Sequence, residues 1–120
     1  MTDKELLELA AKSSGLDLEY CPAWNCMAKR LHDREGAYFD SQTCWNPLAN
    51  DGDAFRLAVK LGLTPHFHKG SRTTYVATDN VSDPEGFDHV EHWGSDPYAA
   101  TRRTIVRAAA EIGKDLKCTT

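Results

Sequence analysis

The sequence predicts an α+β domain whose strands pair mostly antiparallel and whose helices cover the sheet. Three observations predict it. Two amphipathic helices with clear start signals stand at the ends of the 120-residue chain. Between them, short apolar-alternating runs are separated by turn-rich segments. A third helix is launched in mid-chain from the corner "CWNPLANDGD". The predicted order is α-β-β-α-β-β-β-α, a single layered domain over residues 1–120.

Each element has a local cause. In "MTDKELLELAAKSSG", Thr2 followed by Glu5 has the spacing of a capping box. Leu6, Leu9 and Ala10 form a stripe, widened by Leu7, and Gly15 supplies the stop, so a helix is expected over 3–14. "GLDLEY" alternates, placing a strand near 17–20, and "AYFD" reads as the second strand. Between them, "CPAWNCMAKRLHDREG" shows no dominant period, and residues 21–36 read as an irregular excursion. Trp45, Asn46 and Pro47 then form a structural corner, in which Pro47 keeps Asn46 out of helical conformation. Asn50 or Asp51 caps the next helix, where Phe55, Ala58 and Val59 share a face and Gly62 ends the run. "TPHFH", "TTYVAT" and "GFDHVEHW" predict a meander, joined through "KGSR" and "DNVSDPE". Ser95 or Asp96 caps the last helix and Pro97 opens it. Its expected buried stripe runs from Tyr98 through Thr101, Ile105, Ala108, Ala109 and Ile112 to Leu116.

"WNPLANDGDAFRLAVKLGL" and "DPYAATRRTIVRAAAEIG", with the opening "TDKELLELAAK", resemble the small bacteriophage proteins of the phage ABA-sandwich domain family. The resemblance implies an α/β/α sandwich and a phage setting, and no biochemical activity, since none is established for that family. The excursion at 21–36 and the histidine-rich strands stand apart from the family pattern.

The composition narrows the function classes. A formal charge of −4 argues against general nucleic-acid or anionic-membrane binding. No apolar run approaches a membrane span, and the first ten residues lack the apolar core of a signal peptide, so a cytoplasmic location is expected, in the host cell if the setting is phage. No nucleotide-binding or hydrolase motif is present, which points away from an enzyme.

Two residue sets have metal-ligand chemistry. Cys21, Cys26, His32 and Cys44 offer three thiolates and an imidazole, the donor set of tetrahedral zinc. His66 and His68, two apart on a strand, point to one face and with Glu91 make a two-histidine, one-carboxylate set. The competing readings are buried thiols and solvent-facing histidines, and no cofactor is the expectation. Arg102, Arg103 and Arg107 form a cationic surface suited to a small anionic ligand, against the plainer reading of a solvated helix face. Trp24, Tyr38 and Phe39 form a candidate partner-binding patch. The alanine-rich last helix suggests a homodimer. The function expected is that of a phage accessory protein acting by binding, directed at a host defence factor by protein contact or by sequestering a small signalling ligand. The alternative is a metal-dependent enzyme or a structural zinc module built on the Cys/His sets.

Overall fold

A computed structural model describes residues 1–77 and 89–118 of the chain. The elements are α1 (Asp3–Ser13), β1 (Glu19–Cys21), β2 (Cys26–Asp33), β3 (Gly36–Trp45), α2 (Asp51–Leu61), β4 (Thr64–His68), β5 (Thr73–Ala77), β6 (His89–His92) and α3 (Pro97–Cys118). The α+β class and the antiparallel pairing are as the sequence predicts, with one strand more than expected. The strands divide into two three-stranded sheets, ordered β1-β2-β3 and β4-β5-β6, instead of one. α1 and α3 lie between them, and α2 packs on α3. α3 packs on β5 and β6 on one side and on α1 on the other, while α1 reaches β1 and β2.

The caps form where side-chain oxygens can meet unpaired backbone donors. Thr2 Oγ1 accepts from the Glu5 N–H at 3.2 Å, Asn50 Oδ1 from the Asp53 N–H at 2.9 Å, and Asp96 Oδ1 from the N–H groups of Tyr98 and Ala99. Of the predicted cap pairs, Asn50 and Asp96 are therefore the ones used. Gly62 ends α2 in the left-handed region, φ 68°, letting the Leu63 N–H reach back to the Ala58 carbonyl at 2.9 Å.

The added strand lies in the segment expected to be irregular. Residues 21–36 hold a tight turn and β2, with Cys21 paired to Cys26 and Asp33 to Gly36. Residues 26–28 are buried in succession, and along the rest of β2 only Leu31 is partly covered. Neither half alternates in the sequence, because the first is covered on both faces and the second is solvated on both. The period-2 signal of a half-buried strand is therefore missing. The "DNVSDPE" turn and the start of the "GFDHVEHW" run lie outside the described residues.

The helix-facing expectations need a second correction. In α2 the buried residues are Ala54, Leu57 and Ala58, while Phe55 and Val59 turn outward. In α3, Tyr98 and Leu116 are exposed as well, although the interior of the predicted stripe holds at Ile105, Ala108 and Ala109.

One core cluster joins α1, α2, α3 and β5 through Leu6, Ala54, Leu57, Val76, Ile105 and Val106. A second gathers Leu7, Ala11 and Met27 between α1 and β2. Trp45 and Leu48 pack against both. Ala108, Ala109 and Ala110 are buried within the chain, while Ala99 and Ala100 at the start of α3 are half-buried. No described helix is long and apolar enough to cross a membrane.

Candidate functional site

The predicted corner is a dense hydrogen-bonded joint. Leu48 N–H donates to Asn46 Oδ1 at 2.9 Å, closing a turn around buried Pro47. Asn46 Nδ2 donates to the Asn25 carbonyl at 2.7 Å, and its own N–H donates to Asp53 Oδ2 at 3.0 Å. The corner thus ties the β1–β2 turn to the first turn of α2. Asn25, in the left-handed region at φ 49°, also accepts from the Tyr20 hydroxyl at 2.6 Å.

The three arginines are not a free cationic surface. Arg102 Nη1 contacts Asp51 Oδ1 at 2.6 Å and its Nε donates to the Leu48 carbonyl at 2.9 Å. Arg107 Nη1 donates to Glu91 Oε1 at 2.5 Å. Arg103 stands between Asp3, at 3.4 Å, and Glu91, at 3.8 Å. Each guanidinium faces a carboxylate from another element, so together they fasten α3 to α2, β6 and α1. An anionic ligand would have to displace those carboxylates.

The two metal sets are taken apart by the strand register. His66 pairs with Tyr75 and His68 with Thr73, and both imidazoles stack on the Tyr75 ring, at 4.5 and 5.0 Å. They share a face, as two-residue spacing predicts. Glu91 is registered against Thr74, which belongs to the opposite face of β5 and contacts α3 through a 2.9 Å hydrogen bond to Thr101. The carboxylate is thereby removed from the histidines. In the cysteine set, His32 pairs with Ala37 near the hairpin tip, six residues along β2 from Cys26 and so roughly 20 Å away. The thiols of Cys21 and Cys44 both neighbour that of Cys26. Among the described residues, no group of three or more His, Cys, Asp or Glu is placed to hold a metal ion.

Burial pushes the Cys26 thiol up from 9.0 to about 12, with the adjoining Cys44 and Cys21 thiols adding to the shift and a backbone bond at Trp45 opposing it. The unfolded chain therefore loses this proton first as pH rises. Stability should fall between pH 9 and 12, and Cys26→Ala should flatten that fall relative to the wild type in urea titrations across the window. An unchanged slope would show that Cys26 does not supply it.

Of the predicted partner patch, Trp24 and Phe39 meet edge to face at 6.4 Å, and Tyr38 is exposed nearby on β3. A larger apolar surface lies elsewhere. A cleft of about 650 Å³ opens between α2, β4 and α3. Ala58, Leu63 and Ile105 form its floor, and Phe55, Val59, Phe67 and Tyr98 form its rim. The rim side chains are 63–70% exposed, a level far above that of core residues. The ion-paired Asp51 and Arg102 also line it. Sequence reasoning assigned Phe55, Val59 and Tyr98 to the core. The available signal was the width of the α2 apolar surface, since residues 54, 57, 58 and 61 already supply one buried stripe and 55 and 59 lie beyond it.

No protein-family model matches the chain, and no solved structure matches it. Over 110 residues, 88% of this chain, it is 31% identical to DNA ligase 4 of Homo sapiens. The chain spans 11% of that protein's length.

Proposed function

We propose that this protein acts by binding another protein through the cleft between α2, β4 and α3. Following the phage resemblance, its role is that of an accessory protein directed at a host defence factor. The observation that carries the reading is the concentration of four large, solvent-exposed apolar side chains around one cleft. Large contiguous exposed apolar patches mark interaction surfaces. The occupant is an apolar segment of the partner flanked by a basic residue. The chain as a whole is acidic, which favours basic residues beside that apolar segment. Protein contact is favoured over sequestering a small anion because Arg102, Arg103 and Arg107 already face carboxylates. The overlap with DNA ligase 4 supports no ligase reading, because it covers so small a part of that protein.

Burying one phenylalanine contributes about 1.5–3 kcal/mol, so Phe55→Ala or Phe67→Ala should weaken partner binding by roughly 10- to 100-fold. The fold should be unaffected, because neither side chain is in the core. In affinity capture from host cells, the wild type should retain a discrete protein that the Phe55→Ala/Tyr98→Ala variant loses at equal expression and equal circular dichroism. Equal recovery by both proteins would overturn the reading. A wild type that sediments as a dimer beside a monomeric variant would instead put a second copy of this chain in the cleft.

A further inference from the structure

Cys21, Cys26 and Cys44 meet at the base of the β1-β2-β3 sheet, and they differ in access. Cys21 and Cys26 are buried, directly opposite each other across the β1–β2 pair, while Cys44 is exposed. The pairing of β2 with β3 shifts between Met27, opposite Trp45, and Lys29, opposite Asp40. Cys44 lies in the looped-out stretch this creates. Thr43 Oγ1 holds the irregularity by accepting from the Lys29 N–H at 2.8 Å and donating to the Asp40 carbonyl at 2.7 Å. Bulges re-aim side chains, and here Cys44 adjoins Trp45, which stands opposite Met27, so its thiol neighbours that of Cys26. One sulfur open to solvent beside a buried second sulfur is the arrangement that thiol exchange needs.

We propose that Cys44 and Cys26 form a thiol-exchange site: Cys44 takes up a low-molecular-weight disulfide such as oxidised glutathione, and Cys26 displaces it to close a Cys26–Cys44 disulfide. In the first step the Cys44 thiolate attacks one sulfur of the reagent. The reagent's S–S bond breaks, and one glutathione leaves as a thiolate and is protonated. In the second step Cys26 gives up its proton to solvent and its sulfur attacks the Cys44 sulfur, releasing the second glutathione thiolate, which is also protonated. Two protein thiols are oxidised to one disulfide, and the reagent's disulfide is reduced to two thiols. The second step is the slower, because burial keeps Cys26 in the unreactive thiol form. A mixed disulfide on Cys44 therefore accumulates before the ring closes.

The test uses the full chain carrying Cys118→Ser, so that the fourth cysteine of the sequence cannot react. The protein is incubated with oxidised glutathione and followed by intact mass and peptide mapping. The expected course is addition of one glutathione at Cys44, then its loss, leaving a chain two hydrogens lighter and linked Cys26–Cys44. A further Cys44→Ser change, at an exposed position, should abolish both species, and Cys21→Ser should leave both intact. A glutathione adduct that persists on Cys44 while Cys26 remains free to alkylation after unfolding would overturn the proposal. A linkage that includes Cys21 would overturn it too.

Discussion

Gly113→Ala is expected to lower the stability of the protein by about 3 kcal/mol, the upper part of the usual range for overpacking. At most helix positions the same change stabilises by up to about 1 kcal/mol, because glycine is the poorer helix former. Here α3 crosses α1 so closely that a β-carbon at 113 would lie 2.1 Å from the Leu9 carbonyl oxygen and 2.9 Å from the Leu9 carbonyl carbon. Those are backbone atoms and cannot rotate away, so the helices must part. Parting them also loosens the contacts of Leu6, Ala10, Ala109 and Ala110 in the same cluster. At roughly 4 °C per kcal/mol for a domain of this size, the thermal midpoint should drop by about 12 °C. Lys114→Ala, at the exposed neighbouring position, serves as a control and should change little. A Gly113→Ala protein that melts at or above the wild-type temperature would show that the close helix crossing does not limit stability.

Trp45→Ala should cost a comparable amount, about 3 kcal/mol, at the lower end for removal of a large aromatic because the indole is only partly covered. Its position makes the loss more than a cavity. Trp45 contributes to both core clusters, one shared by the three helices and β5, the other between α1 and β2. With the indole gone, the β1-β2-β3 sheet keeps the Asn46 hydrogen bonds and its contact with α1. The two halves of the core should then unfold less cooperatively. The expected signature in guanidinium is a lower midpoint together with a reduced apparent m-value, since a broadened transition marks departure from two-state behaviour. A variant with an unchanged slope and less than about 1 kcal/mol lost would mean that Leu48 alone bridges the clusters.

The parts of the fold legible in the sequence were those with a local cause. Thr2, Asn50, Pro97 and Gly62 mark helix ends through hydrogen bonds or backbone preferences that act within a few residues, and the elements form there. The corner at Trp45, Asn46 and Pro47 was legible as a joint for the same reason, although its reach to Asn25 depends on tertiary placement. What escaped was decided by long-range packing. β2 could not be read, because its coverage changes from two faces to none along its length. Gly113 carried no signal, because a glycine within a helix reads as a weakness until the neighbouring helix is in place. The register that separates Glu91 from His66 and His68 depends on how β5 pairs with β4 and with β6. The cleft rim was misassigned because an apolar residue on a helix has the same sequence signature facing a core or facing a partner.

The arm made by the outer parts of β2 and β3 has a practical consequence. From Lys29 to Gln42 its residues are exposed or half-covered, and its two strands are held mainly by their own ladder. Its tip, at Arg34 and Glu35, lies in sequence and in space beyond every buried side chain of sheet β1-β2-β3. A fluorophore or affinity handle inserted there reports on the molecule from outside, leaving the cleft, the thiols and the helix crossing as they are. The arm is thus the natural place to attach a label for observing the rest of the protein at work.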